Sequence, residues 1–403
     1  MIKKKSIEDL AIFGGECLFA VPKSTSNLLQ PDFEKFMGYS KLFFNQRRYS
    51  NGPCVELLEK RLAEFHKTQF CITFCSGFWA IASAISAVAI EGKTEIIMPS
   101  LTYRRMADIA AWLNLKPHFC EVEPQTLAMS AATVEPCINE NTALVLGAHP
   151  IVNCCDIKGL ETLAKQRNIP LVFDSVESVY ESIPEGRVGG FGLAEAFSMH
   201  ACKLLNGFGG GYVTTNDPAL ATQLAQAREF GFSGEENIVT PEGLNAKLND
   251  MHAALALASL DGVEEQVARN RERYYAYKQL LDGIGGIRLV EFDERYRVGY
   301  KNIVVELLDE WPLSRIDTIS VLNAEKILAR VYYSPPLHKK PMGFGYVPAD
   351  LPVTDRLSER YVNLPCGHLV SPVDIEKIVE MLAFISENAA RISKRLHTVC
   401  EIK

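Results

Sequence analysis

Positive charge is the first thing this chain is short of: 42 Lys and Arg stand against 49 Asp and Glu, a formal net charge of −7 at pH 7. With no surplus of cations to neutralise phosphates, a general affinity for nucleic acid or for an anionic membrane is excluded. Long apolar runs are missing too, and no stretch approaches the length of a membrane helix. The opening MIKKKSIEDL carries a basic run, but no apolar core of signal-peptide length follows it. The 11 cysteines are scattered, with Cys154 and Cys155 adjacent. None falls in the repeated CxxC spacing of a zinc site, so no metal centre is expected. An odd, dispersed set implies reduced thiols and a cytoplasmic protein, in which such cysteines, Cys202 included, pack as small hydrophobes. Internal repeats and low-complexity segments are also lacking. What remains is a soluble globular chain of 403 residues, 47% of them apolar, long enough to bury a sizeable core in two or three domains.

Over the first two thirds, helix and strand signals alternate. Residues 54–66 place Val55, Leu58, Leu62 and Phe65 on one helical face, after a Gly-Pro start at Gly52 and Pro53. FCITFC, TEIIMP, PHFCEV, ALVLGA and IPLVFD then read as short apolar strands separated by helical stretches such as 156–167. That alternation predicts an α/β fold, a mostly parallel sheet with helices on both faces. A long helix is expected over 251–282. Beyond it, IRLVEF, YKNIVVELL and ILARVYY supply strands of a smaller α+β domain, closed by a helix at 373–396. The resulting division is an N-terminal arm and helix over 1–45, a large domain over 46–265 and a small one over 266–403.

Two residues carry the chemistry. Asp174 ends the apolar run PLVFD, where a buried parallel strand delivers its carboxyl end to a site. Lys203 follows in FSMHACKLLNGFGGGYVTTND, before a glycine-rich turn. Pyridoxal phosphate requires a lysine amine to form a Schiff base with its aldehyde, and a carboxylate to keep its pyridine nitrogen protonated. An Asp in this position also caps helices, and most lysines are solvated. It is the combination that points to the cofactor.

Several separated segments extend the case. From about NGPCVELLEKRLAEF to LPCGHLVSPVDIEKI the chain resembles the DegT/DnrJ/EryC1/StrS sugar aminotransferases, which are fold-type I, pyridoxal 5'-phosphate-dependent enzymes with an aspartate aminotransferase-like architecture. The matching stretches, in the family's order, are IIMPSLTYRRMADIAAWLNLKPHFCEVEPQTLAM, VFDSVES, RVGGFGLAEAFSMHACK, GFGGGYVTTND, GLNAKLNDMHAALAL and VYYSPPLHKK. The resemblance implies that Lys203 is the Schiff-base lysine, that Asp174 partners the pyridine nitrogen and that Ser198 bonds the phosphate. It makes Tyr103 the aromatic that stacks on the cofactor ring, where the alternative is an ordinary core tyrosine. Ser76 and Gly77 match a turn at a helix start, whose amides and dipole suit a dianion. Asn245 matches an asparagine that reaches the phosphate from a neighbouring subunit, which implies a homodimer with the active site at its interface.

Three departures accompany these matches. Phe78, followed by Trp79, replaces a threonine hydroxyl, leaving more of the phosphate to backbone donors. Glu177 stands where a neutral glutamine or histidine usually approaches the cofactor's phenolic oxygen, and an ionised carboxylate has no proton to donate. Either Glu177 points at that oxygen, with its pKa raised or the cofactor electronically altered, or it turns outward. Lys247 replaces an arginine and gives up bidentate recognition.

The expected activity is an aminotransferase that takes its amine from glutamate or glutamine and delivers it to a keto sugar, most often nucleotide-linked in the family, or to a related cyclic ketone. Arg104 and Arg105 read either as contacts to substrate phosphates or as surface charge. His338 reads equally as a substrate contact or a structural hydrogen-bonding group. The competing expectation, motivated by Phe78, Trp79 and Glu177, is a family member that binds the cofactor as a regulatory subunit or performs other pyridoxal chemistry. A replacement of the lysine by histidine marks the dehydrase branch, and Lys203 argues against it.

Overall fold

The computed structural model describes residues 4–26, 30–234, 237–240 and 243–400, with the side chains of 399 and 400 excluded. Its centre is a seven-stranded sheet built from β1 (Phe70–Phe74), β2 (Glu95–Pro99), β3 (Lys116–Cys120), β4 (Thr142–Ala148), β5 (Leu171–Asp174), β6 (Ala194–Ser198) and β7 (Gly211–Thr215). The order across the sheet is β1-β7-β6-β5-β4-β2-β3, and β7 alone runs antiparallel to its neighbours. The five apolar runs read from sequence are β1 to β5. Strands β6 and β7, within segments that had been matched only by motif, complete the sheet.

Alternation along each strand divides the core. In β5, Leu171 and Phe173 face one apolar cluster and Val172 the other; in β4, Val145 and Leu144 divide the same way. Both faces are covered by helices, which is why these strands read as continuous apolar runs. The helix Pro53–His66 shows the local logic: Pro53 needs no amide partner at the first position, Cys54, Val55, Leu58 and Leu62 are buried, and Lys67 ends it at φ 60°. Phe65 lies at the edge of the expected face, packed partly against the core. The long helix expected over 251–282 is two helices, Asp250–Asp261 and Val263–Leu281, broken at Gly262.

The small domain carries a four-stranded antiparallel sheet of β8 (Ile287–Leu289), β9 (Ile303–Leu307), β10 (Arg330–Val331) and β11 (Tyr361–Leu364), in the order β8-β9-β11-β10, closed by the helix Pro372–Cys400. The stretch 1–45 divides in its contacts. The helix Phe33–Gln46 packs against the helices of the large domain. Lys23 and Ser24 instead pair in parallel with Ile327 and Leu328, beside the small domain. The fully buried Glu325 carboxylate accepts from Ala11 N at 2.8 Å and Leu18 N at 2.7 Å and pairs with Lys4 at 2.9 Å. Among the described residues no helix is long and apolar enough to cross a membrane.

Candidate active site

The parallel strands β1, β2, β5 and β6 all end on one edge of the sheet, and the site is assembled there. Asp174 is the last residue of β5 and Ser198 the last of β6. Ser76 follows β1 by two positions and caps the helix Gly77–Val88, its Oγ accepting from Trp79 N at 3.3 Å. The first-turn amides of that helix have no carbonyl partner within it, the general condition for a helix start to receive an anion. Gly77 packs directly on Ser198: a Cβ on Gly77 would stand 2.8 Å from Ser198 Cβ. Ser76 also bridges Gly210, at the start of the glycine-rich turn into β7. Ser76, Gly77 and Ser198 are thus one cradle.

Phe78 and Trp79 lie beside this cradle, edge to face at 5.1 Å, and Trp79 in turn packs against Trp112 at 5.3 Å. Tyr103, beyond the end of β2, is 49% exposed, which excludes the core-tyrosine reading and leaves its ring available to a ligand.

Asp174 is buried, and burial pushes its carboxyl up to about 6, against the opposing influence of a hydrogen bond from Val176 N at 3.1 Å and of the nearby Lys203. A buried carboxyl so raised favours a cationic partner, and a protonated pyridine nitrogen is one. Below Asp174, the backbone amide of His149 donates to its carbonyl at 3.2 Å, while the His149 ring lies flat on Phe173 with centroids 5.5 Å apart and planes 3° apart. Sequence reasoning missed this brace.

Lys203 projects toward Asp174 and is ion-paired with Glu177. Burial works against its charge, but Glu177, with Cys202 and Asp174, raises its pKa overall. Glu177 itself neither turns outward nor gains a proton. One oxygen meets Lys203; the other accepts from Lys301 Nζ at 2.5 Å. Against the upward push of burial, the two ammonium groups hold its carboxyl far below the usual range. The raised pKa considered for Glu177 from sequence is therefore corrected: two buried cations keep it ionised. Lys301 was not anticipated, although a carboxylate in place of a neutral residue was itself the signal that a buried counter-charge was needed.

The remaining candidates are more dispersed. His338 is buried, with a polar group close to each ring nitrogen. The Ser100 hydroxyl accepts from His338 N at 3.0 Å and lies 2.7 Å from Nδ1, while Nε2 stands 3.1 Å from Asp355 Oδ1. These contacts tie the ring to the fold. Arg105 pairs with Asp108 at 2.7 Å on the surface. Arg104 and Lys340 line an open recess of about 320 Å³ next to it. Asn245 is exposed and bridges Glu229 across a short antiparallel pairing. Lys247 lies 3.6 Å from Glu229 and 4.4 Å over the Phe230 ring.

The profile of the DegT/DnrJ/EryC1/StrS aminotransferase family matches residues 34–383. The chain belongs to this family. It is accordingly a pyridoxal-phosphate-dependent aminotransferase, with the fold type anticipated from its motifs. Among its relatives, dTDP-4-amino-4,6-dideoxy-D-glucose transaminase of Shigella dysenteriae is 26% identical over 87% of this chain and 96% of its own. L-glutamine:2-deoxy-scyllo-inosose aminotransferase of Micromonospora echinospora is 33% identical over 56% of each chain. The crystal structure of DesI in the presence of its TDP-sugar product superposes with a TM-score of 0.91 at 28% identity, covering 97% of this chain and 100% of that one. Cradle, buried acid and lysine fit pyridoxal 5'-phosphate by donor chemistry: helix-start amides and hydroxyls for a dianion, Asp174 for a cationic ring nitrogen, Lys203 for an aldehyde.

Proposed function

We propose that the chain transfers an amino group from glutamate or glutamine to a keto sugar, nucleotide-linked or a related cyclic ketone. The observation that carries this is the placement of Lys203 and Asp174 together on the carboxyl edge of the sheet beside the Ser76–Gly77–Ser198 cradle. The sugar and cyclitol acceptors named for the relatives favour such a ketone.

Bound here, the cofactor supplies an electron sink that lets a proton leave the substrate α-carbon. The protein's own groups do the rest. Ser198, Ser76 and the amides at Gly77 and Phe78 would hold the phosphate, Asp174 the proton on the ring nitrogen, and Tyr103 the ring face. Lys203 would hold the aldehyde, and its amine, when free, would take up the proton that leaves the substrate α-carbon. That role needs a neutral amine, so the pull of Glu177 on the Lys203 proton must relax when the cofactor is in place. We further infer a homodimer working in the cytoplasm, in which the exposed Asn245 completes the phosphate site of the neighbouring subunit. Arg104 is the candidate for substrate phosphates.

The test is the visible spectrum of the protein with pyridoxal phosphate, followed by addition of glutamate or glutamine. Loss of the band near roughly 410 to 430 nm, with growth of a shorter-wavelength one, is expected for the true donor. A band that forms on the protein but responds to neither amino acid would defeat the donor assignment.

A further inference from the structure

Lys301 enters the site from outside the motifs. It lies two residues before β9 of the small domain, yet its ammonium reaches Glu177 on the loop after β5, joining the two domains at the site. Lys301 and Lys203 flank one carboxylate, each on its own oxygen, and all three side chains are 10–16% exposed. Asn302 Nδ2 adds a contact to the Lys301-side oxygen at 3.5 Å. The Lys301 carbonyl accepts from Cys366 Sγ at 2.9 Å, which fixes its backbone.

The arrangement is asymmetric in consequence. Glu177 alone beside Lys203 would place a full negative charge on the amine that has to lose its proton. Lys301 draws half of that carboxylate's hydrogen-bonding capacity away and adds a positive potential of its own. We propose that Lys301 is a positioning residue for the transamination reaction: by holding Glu177 Oε2 it fixes Oε1 on Lys203 and, through its charge, sets how readily the Lys203 amine gives up its proton. This rests on Lys203 being the cofactor lysine. The other titratable groups that face the trio are Asp174 and Cys202 beside Lys203, and Asp174, Tyr332, Tyr333 and Cys366 around Glu177. All of them remain unchanged in the variants below.

Glu177 and Lys301 act on the Lys203 proton in opposite directions, and that distinguishes this role from plain packing. Glu177→Gln removes the negative neighbour and leaves Lys301, so Lys203 should deprotonate at lower pH. Lys301→Met removes the positive neighbour and leaves the whole carboxylate to Lys203, so deprotonation should move to higher pH. Lys301→Arg, which keeps the cation, should restore the wild-type profile.

The experiment is pulse labelling of the full-length chain with acetic anhydride across the alkaline range before pyridoxal phosphate is added, with the extent at Lys203 read by peptide mass spectrometry. Shifts of about one pH unit in opposite directions are expected, a roughly tenfold change in labelling rate at fixed pH. Lys301→Gln serves in place of Lys301→Met if the latter does not fold. Shifts in the same direction, or no shift on removing the Lys301 charge, would overturn the proposal. Because labelling requires no turnover, opposite shifts alongside a spectrum unresponsive to amino donors would uphold the role of Lys301 while defeating the donor reading.

Discussion

Gly77 and Ser198 touch across the sheet edge so closely that a methyl on Gly77 would stand 2.8 Å from Ser198 Cβ and 3.1 Å from its Oγ. The glycine is required by proximity. Gly77→Ala should push the helix start off β6, costing about 1–3 kcal/mol in stability. Cofactor affinity should fall with it if, as proposed, these two residues wall the phosphate site. Denaturation without cofactor and titration with pyridoxal phosphate measure the two effects; an unchanged affinity would remove Gly77 and Ser198 from the phosphate site.

Asp174 makes stability depend on pH in a definite direction. Its folded pKa is about 6, raised from 3.8 by burial. A raised acid stabilises the fold below its unfolded pKa and loses that contribution as pH climbs through the folded value. Compared with Asp174→Asn, the cofactor-free protein should therefore lose stability between about pH 4 and 6 and remain about 3 kcal/mol worse above that window. The same variant should bind cofactor less well, since it cannot pair with a protonated ring nitrogen. Denaturation of both proteins at pH 5 and pH 8 checks the sign.

Phe78→Thr should restore a hydroxyl at the helix start. About tenfold tighter binding of pyridoxal phosphate is expected from one added hydrogen bond to a charged group. The edge-to-face contact with Trp79 would be lost, lowering stability by about 1 kcal/mol. Affinity unchanged or weakened would mean that this position does not reach the phosphate.

His338→Leu should lower stability by about 2–3 kcal/mol, because Ser100 and Asp355 both lose a partner. The KM for the acceptor should stay within about twofold. A rise in KM at unchanged stability would return His338 to the substrate site.

How far the sequence could be read follows from what each element shows locally. Strands β1 to β5 announce themselves as apolar runs because both faces of the sheet are covered. Strand β6 hides because its second residue is Glu195, a fully buried carboxyl side chain. Its carboxylate accepts from Gly189 N at 2.6 Å, from Phe191 N at 2.8 Å and from Ser175. No local pattern reveals such partners. The short β11 hides among polar neighbours, and ILARVYY divides between two pairings on either side of Ala329. At the site, Asp174 and Lys203 could be paired from sequence because the chemistry proposed for them demands those residue types, and the fold brings them near one another. Lys301 could not be placed in this way: a lysine in sequence reads as solvated, and only the fold brings it across from the small domain to Glu177.

The pairing of residues 4–24 with the segment around Glu325 has a consequence for the order of synthesis. Ala11 and Leu18 hydrogen-bond a carboxylate 314 and 307 residues further along. During translation those early residues leave the ribosome well before their partner exists, and contacts of such separation are slow to form because the intervening loop must close first. The large domain can assemble in the meantime, while Lys23 and Ser24 wait without their partners Ile327 and Leu328. A nascent chain halted before residue 325 should thus carry a protease-sensitive leading segment on an otherwise folded body, and completing the small domain should clamp that segment in the final step.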